Sequence, residues 1–148
     1  MSVLSNTERK EEGFTLIEMV IVITLIGFVA TFAGLQIMNR FNKAKIDSTK
    51  IQMRQLGVVL DDFNRECGFY PSTEQGLQAL VTKPQMPPEC KAYDPKGYIS
   101  SGKLPKDAWG NEFNFESDGQ KYVIISLGAD NRAGGEGNNA DIRSDALE

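Results

Sequence analysis

Between Ser126 and Ile142 the sequence SLGADNRAGGEGNNADI gathers Asp130, Asn131, Glu136, Asn138, Asn139 and Asp141 into a glycine-rich run. Carboxylates, side-chain amides and backbone carbonyls at flexible spacing are the hard oxygen donors that Ca²⁺ accepts, about 6–8 at a time. Asp130 and Asp141 stand twelve positions apart counted inclusively, the span of an EF-hand loop. Arg132 and Gly134 fall where that loop needs ligands, and the residues before it read as a strand instead of a helix. An EF-hand is therefore excluded. A solvated loop without metal is the other reading of the same residues.

A second carboxylate is conspicuous for its surroundings. In KEEGFTLIEMVIVITLIGFVA, Glu18 lies a few residues inside an apolar run, and it is the only charge among the 25 residues from Phe14 to Met38. A charged side chain at the centre of a bilayer costs about 2.5–3.5 kcal/mol on insertion scales. Some interaction must offset that. A carboxylate at a helix N-terminus, favoured by the macrodipole, is the simplest one.

Other chemistries are limited by composition. The chain has 148 residues, a net charge of −4, two cysteines and no histidine. Without histidine the commonest general base and the commonest zinc ligand are missing. No cluster of Asp, Glu, Lys and Cys is arranged for catalysis. Lys and Arg are scattered after the apolar run with no dense basic stripe, which speaks against a nucleic-acid surface.

The elements that must carry these residues follow from periodicity. As a helix, residues 14–38 are about 37 Å long, enough to span a hydrocarbon core of about 30 Å. A secretory signal peptide has an apolar region of about 7–15 residues before a small-residue cleavage site; this run is longer, and Thr31-Phe32-Ala33 matches such a site poorly. Past Met38 a stripe of Ile46, Thr49, Met53, Leu56, Leu60 and Phe63 recurs at helical spacing, and no proline occurs before Pro71. One helix can run from Phe14 to about Arg65, first in lipid and then amphipathic. Gly57 weakens it locally, by about 1 kcal/mol relative to Ala. A coiled coil could use the same stripe, but the globular sequence downstream favours packing within the chain.

Gly68 reads as the helix stop, and Ser72-Thr73-Glu74-Gln75 as the cap of a short helix from Gln75 to Val81. Pro84, Pro87 and Pro88 enforce loop. EFNFE alternates, Asp118-Gly119 signals a hairpin turn and KYVIIS is a buried strand. Trp109 and Phe113 are expected in the core between helix and sheet, and the tail from Leu127 is expected as loop. The class is α+β: a long N-terminal helix on a small antiparallel sheet.

GFTLIEMVIVITLIGFVA resembles the N-terminus of type IV pilins and pseudopilins. YPSTEQGLQALV, GYI with LPKDAWGNEF, and SLGADNRAGGEGNNADI, in that order, narrow the resemblance to major pseudopilins of the type II secretion system. It covers nearly everything after Glu12 and implies a pilin-like fold. In that family a prepilin peptidase cuts after the residue that is here Gly13 and methylates the new amino terminus, here Phe14. Residues 1–13 would be a cytoplasmic leader, 14–38 the membrane and polymerisation half of the helix, and 39–148 a periplasmic domain. The protein would be a single-pass inner-membrane subunit of a periplasmic filament that drives export of folded proteins.

The implied partners are copies of the chain in a helical homopolymer, minor pseudopilins, the peptidase and the inner-membrane assembly platform. Glu18 would pair with the Phe14 amine of a neighbour. Counting Lys and Arg (Arg40, Lys43, Lys45, Lys50 and Arg54 behind the run) would instead place the C-terminal side in the cytoplasm; the resemblance overrides that count. Calcium is implied in the tail loop, held by the Leu127 carbonyl, Asp130 and Asp141, with Asn138 and Asn139 where relatives often carry aspartate. A periplasmic location permits a Cys67–Cys90 disulfide. The alternatives are a type IV pilin or minor pseudopilin, and a membrane-tethered hydrolase using Asp130 and Asp141 to hold a metal. No nucleophile or base is identifiable for the latter.

Overall fold

A computed structural model describes residues 13–147. The expected leader, residues 1–13, lies outside the described residues apart from Gly13. The chain divides into two compact units between Asn39 and Arg40. Helix α1, Leu16–Cys67, contributes to both.

In the first unit α1 begins two residues later than periodicity suggests, because Thr15 caps it. Its Oγ1 accepts from the Glu18 N–H at 3.3 Å and its carbonyl accepts from the Met19 N–H at 3.2 Å. Thr at the cap with Glu three residues on is the arrangement that occupies orphan N–H groups at a helix start. Hydroxyls inside the apolar stretch are satisfied locally: Thr24 donates to the Val20 carbonyl at 2.7 Å and Thr31 to that of Gly27 at 2.9 Å. Every described side chain from Leu16 to Met38 is exposed. An 18-residue window here has mean hydropathy 2.4, with none of it buried inside the protein. Apolar surface on this scale is stable only in lipid or against other helices.

In the second unit α1 buries the expected stripe. Thr49, Met53, Leu56, Leu60 and Phe63 are all at most 2% exposed, and Ile46 is partly buried against them. Phe63 meets Phe69, Tyr93 and Tyr98 edge-on. Gly57 keeps α1 slim where the Tyr122 hydroxyl lies 3.0 Å from the position a Cβ would take. The helix ends at Cys67, where the Gly68 N–H donates to the Asn64 carbonyl at 2.7 Å. Cys67 is bonded to Cys90, with Cα atoms 4.9 Å apart, tying the helix end to the proline-rich loop.

Ser72 and Gln75 bond reciprocally, Gln75 N–H donating to Ser72 Oγ and Ser72 N–H to Gln75 Oε1, but they close a turn and do not cap a helix. The helix expected from Gln75 to Val81 shrinks to a 3-10 turn, Leu77–Leu80. Gly76, at φ +60, takes the chain out of the helical region between that turn and the 3-10 turn. Gln75 is buried, and its Nε2 donates to the carbonyls of Met86 and Pro88, which anchors the proline-rich loop.

Strands β1 (Asn114–Ser117) and β2 (Tyr122–Ser126) pair antiparallel with Phe115 opposite Ile124. Their turn is held by Asp118, whose Oδ1 accepts from the N–H groups of Lys121 and Gln120. Those donors hold its carboxyl below the usual carboxylate range. Phe113 is buried and Trp109 packs half-buried on the same core, both as expected. The tail, expected as loop, departs from expectation as well. Within the tail, Ile142–Arg143 forms β3, which pairs with β2 to give the order β1-β2-β3. Two residues are too few to show an alternating pattern, and β3 exists because Ile142 is buried in the core.

Candidate functional site

At the N-terminal end, Gly13, Phe14 and Thr15 precede α1 and Glu18 lies in its first turn. Phe14 is 72% exposed and stands outside the helix. Phe14 and Glu18 therefore do not lie on one helical turn of the subunit, because capping places Thr15 at the boundary. The Glu18 side chain is exposed, and its backbone N–H is the group bonded to Thr15. The carboxylate is thus presented outward beside an exposed apolar surface.

The tail loop brings its two ends together. Ala129 N–H donates to the Asn138 carbonyl at 2.9 Å, and Gly134 N–H donates to Asp141 Oδ2 at 3.0 Å. Asp130 Oδ1 accepts from the Arg132 N–H at 3.2 Å. A 3-10 turn, Gly137–Asn139, carries both asparagines, with Asn139 N–H donating to the Glu136 carbonyl. Leu127 and Asp130 on one side are thereby stitched to Asn138, Asn139 and Asp141 on the other.

One buried side-chain atom in this loop lacks a hydrogen-bond partner, Asp141 Oδ1. Leaving a buried carboxylate oxygen unpaired is costly, and a hard cation would satisfy it. Among the described residues no group of three or more His, Cys, Asp and Glu is placed to hold a metal. A cation here would depend on two carboxylates completed by amide and carbonyl oxygens, a donor set that suits Ca²⁺ and not Zn²⁺. The residues fit the ion by chemistry.

Sequence reasoning missed the support beneath this loop. Asp107 is buried, and its Oδ1 accepts from the N–H groups of Trp109 and Asn111 while Oδ2 accepts from the Ser126 hydroxyl. Asp and Asn flanking Trp109-Gly110 are turn formers, and that was the available signal.

An apolar-then-amphipathic N-terminal helix with a small antiparallel sheet defines a pilin-like subunit. The prokaryotic N-terminal methylation motif matches residues 9–34, and the family described as type II secretion system (T2SS), protein G matches residues 36–145. The chain is 40% identical over 136 residues to the type II secretion system core protein G of Pseudomonas aeruginosa, covering 90% of this chain and 94% of that one. It is 41% identical over 136 residues to that of Vibrio cholerae, covering 90% and 91%. The crystal structure of the major pseudopilin from the type 2 secretion system of enterohaemorrhagic Escherichia coli superposes with a TM-score of 0.65. Identity there is 33%, over 74% of this chain and 94% of the other. The chain belongs to the type II secretion system protein G family.

Proposed function

We propose that this chain is the major structural subunit of a type II secretion pseudopilus. It is not an enzyme; its work is polymerisation. A prepilin peptidase removes residues 1–13 after Gly13 and methylates Phe14. The mature chain rests in the inner membrane through residues 14–38, with the rest in the periplasm. Copies are then added to a helical filament together with minor pseudopilins at the inner-membrane assembly platform, and the growing filament drives folded proteins across the outer membrane.

The observation that carries this reading is the first part of α1: apolar, exposed at every described side chain, and with Glu18 as its only charge. Lipid covers such a surface in the resting subunit, and neighbouring helices cover it in a filament. Cleavage would leave a cationic amine at Phe14. An unpaired charge in a low-dielectric interior is strongly unfavourable and a paired one much less so. Pairing of Glu18 with a neighbour's amine therefore favours one axial stagger over slipped ones. The Cys67–Cys90 bond supports an oxidising compartment for the second unit. Family membership disfavours the hydrolase and the type IV pilin.

In the tail loop, the Leu127 carbonyl, Asp130 and Asp141, with Asn138 and Asn139, would hold Ca²⁺. The ion would supply positive charge to the orphaned Asp141 oxygen and link the loop's two ends. Asparagine in place of aspartate keeps an oxygen and loses a charge, so affinity belongs at the weak, extracellular end, about 10⁻⁴–10⁻³ M.

The test of polymerisation is Glu18→Val. It removes a charge from lipid, so insertion and cleavage persist, while cross-linked subunit ladders and cargo release disappear. Ladders and secretion that survive the substitution would reduce Glu18 to an interfacial charge.

A further inference from the structure

The oxygen donors of the tail loop lie on two segments separated in sequence, and they can converge only if the chain between Ser126 and Ala129 is fixed against the chain between Asn138 and Asp141. Gly128 is where that happens. It sits at φ +67, and a Cβ there would come within 2.8 Å of the Asn138 carbonyl oxygen and 3.0 Å of that of Ala140. Its own polar groups face the body of the protein. The Gly128 N–H donates to Ser126 Oγ at 3.4 Å, and the Gly128 carbonyl accepts from Asn111 Nδ2 at 3.0 Å. The neighbouring Ala129 N–H completes the junction on Asn138.

Both residues that grip Gly128 are held by one buried carboxylate, Ser126 through its hydroxyl and Asn111 through its backbone N–H. Asp107 is 5% exposed. Its Oδ2 accepts from the Ser126 hydroxyl at 2.7 Å, and its Oδ1 from the Asn111 N–H at 2.8 Å and the Trp109 N–H at 3.0 Å. The Asp107 N–H returns a bond to the Asn111 carbonyl at 2.9 Å. A buried carboxylate is stable only when its lone pairs are taken up, and here two of its three donors come from the residues that touch Gly128. The same 107–111 turn is anchored on its other side to α1, where Ala108 N–H donates to Thr49 Oγ1 at 3.1 Å.

We infer that Asn111 and Ser126, oriented by Asp107, are positioning residues of the tail loop: they clamp Gly128 so that the Leu127–Asp130 and Asn138–Asp141 donors meet. The inference rests on the reading of the loop as a cation site. Partners that orient metal ligands without touching the metal commonly govern affinity by about 10–100-fold.

Thr49 supplies the control, because it bonds the same turn on the side away from the loop. With detergent-solubilised full chain, Ca²⁺ titrations followed by calorimetry compare wild type with Asn111→Ala, Ser126→Ala and Thr49→Val. Amide hydrogen exchange at Gly128 and Ala129 is followed in EGTA. Asn111→Ala and Ser126→Ala should weaken Ca²⁺ by about tenfold or more and speed exchange at both amides. Thr49→Val should lower the melting temperature while leaving affinity and those amides unchanged. Equal effects of all three variants on affinity and exchange, or none from Asn111→Ala and Ser126→Ala, overturns the clamp. A wild type that binds no Ca²⁺ removes the cation reading instead. The exchange pattern then decides the clamp by itself, selective acceleration supporting it and uniform behaviour overturning it.

Discussion

Asp141 has one carboxylate oxygen bonded to Gly134 and the other buried with no partner. The surrounding loop is rich in glycine, whose ordering is entropically expensive at about 1–2 kcal/mol per backbone residue. It offers little apolar surface to offset that. A ligand that binds only the ordered loop adds stability that grows with the logarithm of its concentration over Kd. Millimolar Ca²⁺ should therefore raise the melting temperature, and EGTA should lower it. Asp130→Ala should abolish the difference. Glu136→Ala should not, because that carboxylate is not among the donors assigned to the ion. Thermal melts of the three proteins decide this, and a melting temperature indifferent to both reagents would remove the metal.

Tyr98 provides a pH-dependent test of the core. Burial, and then its hydrogen bond to Glu66 Oε2 at 2.8 Å, push the phenol up to about 12 from 10.0. The folded chain holds this proton where the unfolded chain loses it. The contribution is thus complete below pH 10 and disappears as pH climbs toward 12. Tyr70, Tyr93 and Tyr122 are shifted upward as well. The melting temperature should fall through this window, and Tyr98→Phe should flatten part of the decline. A curve level to pH 12 contradicts it.

At the scale of elements, legibility tracked the range of the interactions that define each one. The stripe from Thr49 to Phe63 was readable because a single helix period carries it, and all five positions are buried. The β1–β2 hairpin was readable from Asp118-Gly119 and the alternation around it. The Ser72–Gln75 bonds expected as a helix cap close a turn instead, and Gly76, which has no side-chain cap, starts a shorter 3-10 turn. Strand β3 and the Asp107 clamp were not readable, since they join positions distant in sequence: Ala108 to Thr49, Ser126 to Asp107, Asn111 to Gly128.

The Cys67–Cys90 bond joins two such distant elements across 23 positions. Closing a loop of that size contributes about 3 kcal/mol in the chain-entropy treatment. Protein taken from cells and denatured without reductant should accept no thiol label, and the double Cys67→Ser, Cys90→Ser variant should lose about that much stability. Two labels per chain would contradict the proposed periplasmic placement.

Taken whole, the molecule couples a surface that cannot remain in water to a domain closed around its own core. The first is the apolar stretch of α1 from Leu16 onward. The second is the unit from Arg40, with its disulfide and anchored tail. A chain without histidine, in a family of structural subunits, functions by being assembled. Electron cryomicroscopy of filaments produced by overexpressing the chain with its secretion machinery tests that most directly. The expected map is a helical homopolymer with residues 14–38 packed inside and each Glu18 carboxylate within ion-pairing reach of a neighbour's Phe14 amine. Failure to form filaments, or filaments in which Glu18 faces solvent away from every amine, would contradict it.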